Sequence, residues 1–188
     1  NSIYRQNAIK KLVRNFSDQR IGVVCGELRY HEVRSEESMY WNYEIAIKRG
    51  ESRNGWLIGA NGSIYAVRKE SYVPLPKDAI SDHLEPIKVY GNGLDIIYES
   101  EAVAIEDAPK NVLLRKRRII LRSLISIKYI MNELNPFRKR SIFLPYISHK
   151  LIRWFTPLFL ILIFLSSSLL IHHSNMYLYM FYSQILFY

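Results

Sequence analysis

The longest apolar run in the chain extends from Trp154 to Ile171, near the C-terminus. Its length is close to the ~20 residues that cross the hydrocarbon core of a bilayer. Trp154 stands where interfacial aromatic residues are common, and Pro157 follows at a position that a helix tolerates. The sequence therefore predicts a transmembrane span over 154–171, and the apolar segment 176–188 predicts a second, truncated span.

The chain has a formal net charge of +9, and much of its positive charge lies shortly before the apolar run. The basic residues there are Arg115, Lys116, Arg117, Arg118, Arg122, Lys128, Arg138, Lys139, Arg140, Lys150 and Arg153. Lysine and arginine beside a span stay on the cytoplasmic side and attract anionic headgroups. Nucleic-acid binding is another cause of a basic composition, but the apolar run favours membrane lipids as the partner and no nucleic acid. We therefore expect an integral protein of the cell membrane with a cytoplasmic upstream domain.

Short apolar strands alternate with amphipathic helices upstream of the basic segment, which indicates a layered α/β domain. The predicted helices cover 7–15, 36–48 and 84–90, and the predicted strands cover 21–25 (ended by Gly26), 56–58, 96–98 and 102–105. Residues 111–153 are basic and amphipathic, a pattern typical of helices at a bilayer interface. The predicted organisation is thus a catalytic domain over 1–110, an interfacial region over 111–153 and a transmembrane region over 154–188.

Cys25 is the single cysteine, which excludes an internal disulfide and a cysteine-rich zinc site. It ends the apolar run 21–25, so we expect a packed thiol in a buried strand. The chain begins at Asn1 without Met and ends inside an apolar segment. We therefore also expect a fragment of a longer protein.

Asp82 is the strongest candidate for a reactive group, since it lies in Ser81-Asp82-His83 directly before a predicted helix. A carboxylate within hydrogen-bond reach of a hydroxyl can take its proton as a new bond forms. Asp82 could instead, or in addition, cap the helix that starts at Leu84. The neighbouring His83 is a better candidate for a local hydrogen-bond partner than for a metal ligand.

Arg115 and Arg118 belong to the densest basic cluster, 115–118. Guanidinium groups match phosphate oxygens well, so these residues could bind a phosphate. The alternative is a stripe of cations that contacts lipid headgroups.

Trp41 and the turn Gly59-Ala60-Asn61 are of residue types that can contact a ligand. Aromatic faces stack on pyranose rings, and glycine allows a ligand to approach the backbone closely. Tyr43 and Glu44 could face the same ligand as Trp41, and a core role in the helix is the alternative for all three. An ordinary turn is the alternative for the glycine segment.

Several short segments in a fixed order carry a family resemblance. They are Gly22-Val23-Val24-Cys25-Gly26-Glu27-Leu28, Tyr40-Trp41-Asn42-Tyr43-Glu44, 59–68, Ser81-Asp82-His83, 93–99, Arg115-Lys116-Arg117-Arg118 and 148–154. Together they resemble the C-terminal portion of a membrane-bound family-2 glycosyltransferase of the processive polysaccharide-synthase type, over most of residues 1–170. The resemblance implies part of a GT-A nucleotide-sugar-binding fold and a role in polysaccharide biosynthesis.

The resemblance also implies site residues. Asp82 would be the catalytic base, Arg115 and Arg118 would hold the diphosphate, and Trp41 and Gly59-Ala60-Asn61 would bind the acceptor. A divalent Mg²⁺ or Mn²⁺ would be held mainly by residues before Asn1, which would fall at the edge of an Asp-x-Asp motif. The sequence departs from the family pattern at Ser81 and His83 beside the base, at Arg115 in place of Gln, and at Ile119 in place of Trp.

We therefore expect an enzyme that moves a sugar from a nucleotide-sugar donor to a glycan or lipid acceptor, with inversion at the anomeric carbon. Three alternatives remain open from the sequence. The chain could be a non-catalytic membrane-associated basic protein that binds anionic lipid or a partner subunit, a nucleic-acid-binding protein, or an inactive remnant.

Overall fold

The structure is a computed structural model that describes residues 2–31, 35–107, 112–138 and 141–187. Side chains are described within these ranges except at 35–40, 112–116, 149–150 and 153–154. In chain order the elements are β1 (Ile3–Tyr4), α1 (Ala8–Arg14), β2 (Ile21–Tyr30), α2 (Ser35–Arg53), β3 (Tyr65–Val67), α3 (Ser81–Gly91), β4 (Asp95–Glu106), α4 (Val112–Ile127), α5 (Phe143–Tyr146), α6 (Ile152–Leu169) and α7 (Asn175–Phe187). Short 3₁₀ turns at Asn15–Ser17 and Lys69–Ser71 and a π-helical turn at Ile147–Leu151 complete the list.

The four strands form one mixed sheet in the order β1-β4-β2-β3. The two long strands, β2 and β4, are parallel neighbours at its centre, and β1 and β3 pair antiparallel at the two edges. A parallel pair needs a crossover connection, and here α2, β3 and α3 lie between β2 and β4 in the chain.

Alternate residues of the central strands face opposite sides of the sheet, and each side has its own core. Val24 of β2 packs in a cluster with Ala8 and Leu12 of α1. Val23 and Cys25 pack instead with Val89 of α3. The predicted buried thiol is thus present, and burial raises the pKa of Cys25.

Strand β2 runs on to Tyr30, although Gly26 was expected to end it. A Cβ at Gly26 would lie 2.6 Å from the carbonyl oxygen of Ala102 and 2.9 Å from the side chain of Ile64. The glycine therefore allows a close approach of neighbouring chain segments rather than a turn. The register shifts at this point, where Gly26 opposes Glu99 and Glu27 opposes Val103, so the two strands predicted over 96–98 and 102–105 are one irregular strand.

The strand predicted over 56–58 is not observed, although Leu57 and Ile58 are buried. Helix α2 extends beyond the predicted 36–48 at both ends. Helix α3 begins at Ser81 and not at Leu84, with Ile80 in the cap position. Asp82 therefore lies in the first turn of α3, and the prediction that it caps a helix starting at Leu84 is wrong.

The predicted fold class, a partial GT-A-type domain followed by amphipathic interfacial helices and transmembrane helices, is wrong. The chain is a mixed α/β domain on a four-stranded sheet, and none of its described helices combines the length and apolarity needed to cross a bilayer. The 18 residues of α6 make a helix about 27 Å long, against a hydrocarbon core of about 30 Å, and they include Thr156 and three serines near the end. Helix α7 has 13 residues, which is shorter still.

By its contacts the chain divides into two compact units, Asn1–Tyr146 and Ile147–Tyr188. The first contains the sheet and both core clusters. The second contains α6 and α7, which pack against each other through Phe164 and Phe181, with ring centroids 5.2 Å apart. All candidate site residues lie in the first unit.

Candidate functional site

Asp82 is held at the start of α3 by a backbone hydrogen bond that comes from outside the helix. Pro86 lies four residues later and has no N–H, so it cannot donate the helical bond to the carbonyl of Asp82. The backbone N–H of Ala60 donates to that carbonyl instead, at 2.8 Å. This bond joins the glycine turn to the first turn of α3, where a negative side chain is favoured by the helix dipole.

Asn61 fixes the glycine turn against strand β2. Its side-chain amide donates to the carbonyl of Gly26 at 2.6 Å, and its backbone N–H donates to Cys25 Sγ at 3.2 Å. Its side-chain oxygen accepts a hydrogen bond from Lys48 Nζ. The amide of Asn61 is therefore occupied by contacts within the protein, and it positions the turn.

A hollow of about 240 Å³ lies between α2, β2, the glycine turn and Asp82, and we call it the Trp41 hollow. Its lining is Leu28, Tyr30, Trp41, Glu44, Lys48, Ala60, Asn61, Gly62, Ser63 and Asp82. The rings of Trp41 and Tyr30 have centroids 4.7 Å apart and are tilted by 58°. The hollow thus combines an aromatic wall, two carboxylates and one ammonium group, a lining that suits a hydroxylated ligand.

Gly62 is necessary for the observed position of the Asp82 side chain. A Cβ added at Gly62 would lie 2.7 Å from Asp82 Oδ2 and 3.3 Å from its Cγ. The carboxylate therefore rests directly against the glycine backbone, and any larger residue would displace it.

Asp82 also borders a second hollow, of about 260 Å³, which we call the Arg118 hollow. Its lining is Ala79, Ile80, Ser81, Asp82, Arg118, Ile119 and Arg122. Arg118 and Arg122 are one helical turn apart on α4, and both residues line this hollow. Asp82 therefore lines two hollows, one with an aromatic wall and one with a cationic wall.

The end of α4 and the turns after it are tied to α3 and to the loop before it. Lys128 Nζ lies 3.3 Å from Asp78 Oδ2, and the hydroxyl of Tyr129 donates to Asp78 at 3.1 Å. Burial opposes the shift, but these bonds hold the pKa of Asp78 below its usual value. Further on, buried Glu133 lies 3.2 Å from Lys88 Nζ of α3. These contacts keep Arg118 near Asp82.

Glu85 and His83 are buried beside Asp82 on α3. The hydroxyl of Tyr65 donates to Glu85 Oε2 at 3.2 Å, and burial raises the pKa of the Glu85 carboxyl. The ring of His83 stacks on that of buried Tyr146, with centroids 5.7 Å apart. Both residues pack into the first unit and do not line either hollow.

The predicted site residues are partly brought together. Asp82, Trp41, Ala60 and Asn61 line the Trp41 hollow, and Asp82 and Arg118 line the Arg118 hollow. Gly59 precedes the lining residues and borders neither hollow. The side chain of Arg115 and the whole of Asn1 lie outside what the structure describes.

Sequence reasoning did not assign several of the lining residues to the site, among them Lys48, Gly62 and Arg122. Helical spacing could have found two of them, since Lys48 follows Trp41 by seven residues on α2 and Arg122 follows Arg118 by four on α4. Nothing local distinguishes Gly62 from an ordinary turn glycine, because its importance comes from Asp82.

A divalent metal was expected mainly on residues before Asn1. Within the ranges that the structure describes, no group of three or more His, Cys, Asp or Glu side chains could hold a metal ion. The described residues therefore do not by themselves fit such an ion.

In comparisons with known proteins, the chain matches no protein-family model and no curated protein.

Proposed function

We propose that this chain contributes the proton acceptor and a diphosphate-binding surface to the transfer of a sugar from a nucleotide-sugar donor to a hydroxyl of a glycan or lipid acceptor. The observation that carries the proposal is the position of Asp82, which borders both the Trp41 hollow and the Arg118 hollow. A group transfer of this kind needs a base between an acceptor site and a site for an anionic leaving group.

In the proposed reaction, the acceptor lies in the Trp41 hollow with one hydroxyl at Asp82. The carboxylate takes the hydroxyl proton while the oxygen forms a bond to the anomeric carbon of the donor sugar. The bond from that carbon to the phosphate oxygen breaks, and its electron pair leaves with the nucleoside diphosphate. Direct displacement of this kind inverts the anomeric carbon.

Arg118 and Arg122 would receive the departing nucleoside diphosphate in the Arg118 hollow. The charge on the leaving phosphate rises as the bond breaks, and guanidinium groups form charge-assisted hydrogen bonds that strengthen with that charge. Both arginines are exposed, so a phosphate can reach them without rearrangement of the core.

A second function has support of its own: binding of anionic lipid through α4 without catalysis. Alongside Arg117, Arg118 and Arg122, this helix exposes large apolar side chains, with 44% of Ile119 and 50% of Leu121 accessible to solvent. A basic helix with exposed apolar residues can bind anionic headgroups. Under this alternative Asp82 would have no chemical role.

The first test replaces Asp82 by Asn in the full chain and measures transfer of labelled sugar from a panel of nucleotide sugars to glycan and lipid acceptors. The amide keeps the shape but cannot take a proton, so we expect the rate to fall about 10²- to 10⁴-fold. The exposed Asp107, changed to Asn, is the matched control and should leave the rate unchanged. Equal rates for D82N and the wild-type chain would refute the proposed role of Asp82.

The second test separates phosphate binding from lipid binding with two adjacent arginines. Arg118 lines the hollow and Arg117 does not. We expect R118Q to weaken binding of a nucleoside diphosphate about tenfold and R117Q to leave it unchanged, as measured by isothermal titration calorimetry. Lipid binding alone predicts that both variants weaken binding to anionic vesicles equally and that neither affects a nucleoside diphosphate.

A further inference from the structure

A third hollow continues from the Trp41 hollow along β2 and α2. It measures about 520 Å³, and its lining is Glu27, Leu28, Arg29, Tyr30, Trp41, Asn42, Ile45, Ala46 and Arg49. We call it the Arg49 hollow. It shares Leu28, Tyr30 and Trp41 with the Trp41 hollow, so Trp41 stands between the two. Its volume is in the range of about 300–1,000 Å³ that is typical of small-molecule sites.

The charge in this hollow is organised around one buried carboxylate. Glu27 is fully buried and accepts hydrogen bonds from Arg29 Nε at 2.7 Å, from Arg49 Nη2 at 2.8 Å and from the hydroxyl of Tyr98 at 3.3 Å. Two guanidinium groups therefore share one carboxylate, which leaves an excess positive charge in this cluster. Glu27 holds both arginines in place, and their side chains remain 47% and 45% exposed.

We propose that the Arg49 hollow binds an anionic sugar residue of the acceptor, one that carries a carboxylate or a phosphate. This inference rests on the proposed sugar transfer, and it adds the class of acceptor. An acceptor glycan with its reactive hydroxyl at Asp82 would cross Trp41 and place its next residue between Arg29 and Arg49. A preorganised arginine pair suits a carboxylate or phosphate group, and the Trp41 and Tyr30 rings suit the apolar faces of sugars.

Nucleic acid fits this hollow less well. Sequence-independent binding to nucleic acid depends on many cations placed along a phosphate backbone. The described side chains of the Arg49 hollow instead offer two arginines, one of whose charges is offset by Glu27, next to an aromatic pair.

The test is a calorimetric titration of the full chain with a tetrasaccharide of galacturonic acid and with the same tetrasaccharide after reduction of its carboxylates to alcohols. We expect the acidic form to bind at least about tenfold more tightly, as charge-assisted hydrogen bonds to arginine imply. R49Q and R29Q should each reduce that preference about tenfold. R20Q is the matched control, since it removes the same charge from an exposed arginine paired with Asp18 and should change nothing.

A further variant keeps the result interpretable. Loss of either arginine could unfold the chain by leaving Glu27 poorly paired. The substitution Ala46→Phe avoids this problem, because it fills the hollow from an exposed helix position, and it should also abolish the preference for the acidic tetrasaccharide. This preference is measured by binding alone and the proposed transfer by its rate, so binding can succeed while transfer fails, and the reverse.

Equal affinity for the acidic and reduced tetrasaccharides would overturn the inference and leave the proposed transfer standing. So would an acidic preference that A46F does not alter. Single-stranded oligothymidylate is the last probe: binding as tight as that of the acidic tetrasaccharide, with the same loss in R49Q, would show a general polyanion site and would also overturn the inference.

Discussion

At the scale of single residues, one proline and one glycine fix the position of the Asp82 carboxylate. Pro86 has no N–H group to donate a helical hydrogen bond. The carbonyl of Asp82 therefore accepts a hydrogen bond from the backbone N–H of Ala60, at 2.8 Å. Gly62 has no Cβ, which leaves room for the Asp82 carboxylate. A Cβ at Gly62 would lie only 2.7 Å from Asp82 Oδ2. The position of one carboxylate thus depends on two residues that have no reactive groups.

Glu85 makes the stability of the fold depend on pH. Because burial raises its pKa in the folded state, the folded chain binds this proton more tightly than the unfolded chain does. Its contribution to stability is therefore full below the carboxyl pKa of the unfolded chain and is lost as the pH rises through the folded pKa.

We expect E85Q to remove this pH dependence. The melting temperature of E85Q minus that of the wild-type chain should increase between pH 4 and pH 7, by about 2–4 °C for each kcal/mol involved. Y65F supplies the opposite control, since the hydrogen bond from Tyr65 lowers the pKa of Glu85. Loss of this hydrogen bond should make the melting temperature depend more steeply on pH. A constant difference in melting temperature across this range would contradict the expectation.

At the scale of elements, the placement of α4 depends on two ion-pair clusters of different burial. The cluster of Asp78 with Lys128 is exposed, with side chains 45% and 58% accessible. The Glu133 side chain is only 7% accessible, and it contacts Lys88 and, at 3.7 Å, Arg138. Buried carboxylates between cations are costly to remove, whereas exposed pairs contribute little.

We therefore expect E133Q to lower the free energy of unfolding by about 1–3 kcal/mol and D78N by less than about 1 kcal/mol. Urea denaturation of both variants beside the wild-type chain measures the two values. Equal losses would mean that burial does not separate these clusters. A larger loss in D78N would make the loop before α3 the main support of α4.

Most of the elements could be predicted from the sequence, because apolar spacing reports them locally. Helix α1, the start of β2 and most of α2 follow the predicted ranges. The elements that were predicted incorrectly are those whose bounds depend on contacts with residues distant in sequence. Gly26 continues a strand because Ala102 and Ile64 approach it, and residues 96–105 form a single strand because β2 pairs with both parts.

At the scale of the whole molecule, the two compact units differ in how much of their apolar surface is exposed. The first unit buries both core clusters, and its last residues include Ile142 and Tyr146, which are fully buried. In the second unit many large apolar side chains are exposed, among them Leu169 at 81% and Leu186 at 90%. Exposed apolar surface of this kind favours association.

We expect a chain that ends at Tyr146 to fold and to unfold cooperatively, with less aggregation than the full chain. Circular dichroism during heating and light scattering measure the two properties. A chain that ends at Leu134 is the matched control: it lacks Ile142 and Tyr146 and should melt at a clearly lower temperature. Failure of the longer piece to fold would show that the first unit needs residues 147–188.

The sequence by itself determined the mixed α/β character, the buried thiol of Cys25 and the presence of a helix over 84–90, since these depend on local apolar spacing and on chain order. It also predicted a membrane span that none of the described helices provides. An apolar run shows only the composition of a segment, whereas the fold sets the length of the helix that forms. Only the tertiary structure decided that Asp82 borders two hollows and that Lys48, Gly62 and Arg122 line them. Residues far apart in sequence meet there through the pairing of β2 with β4 and the anchoring of α4, which no local pattern encodes.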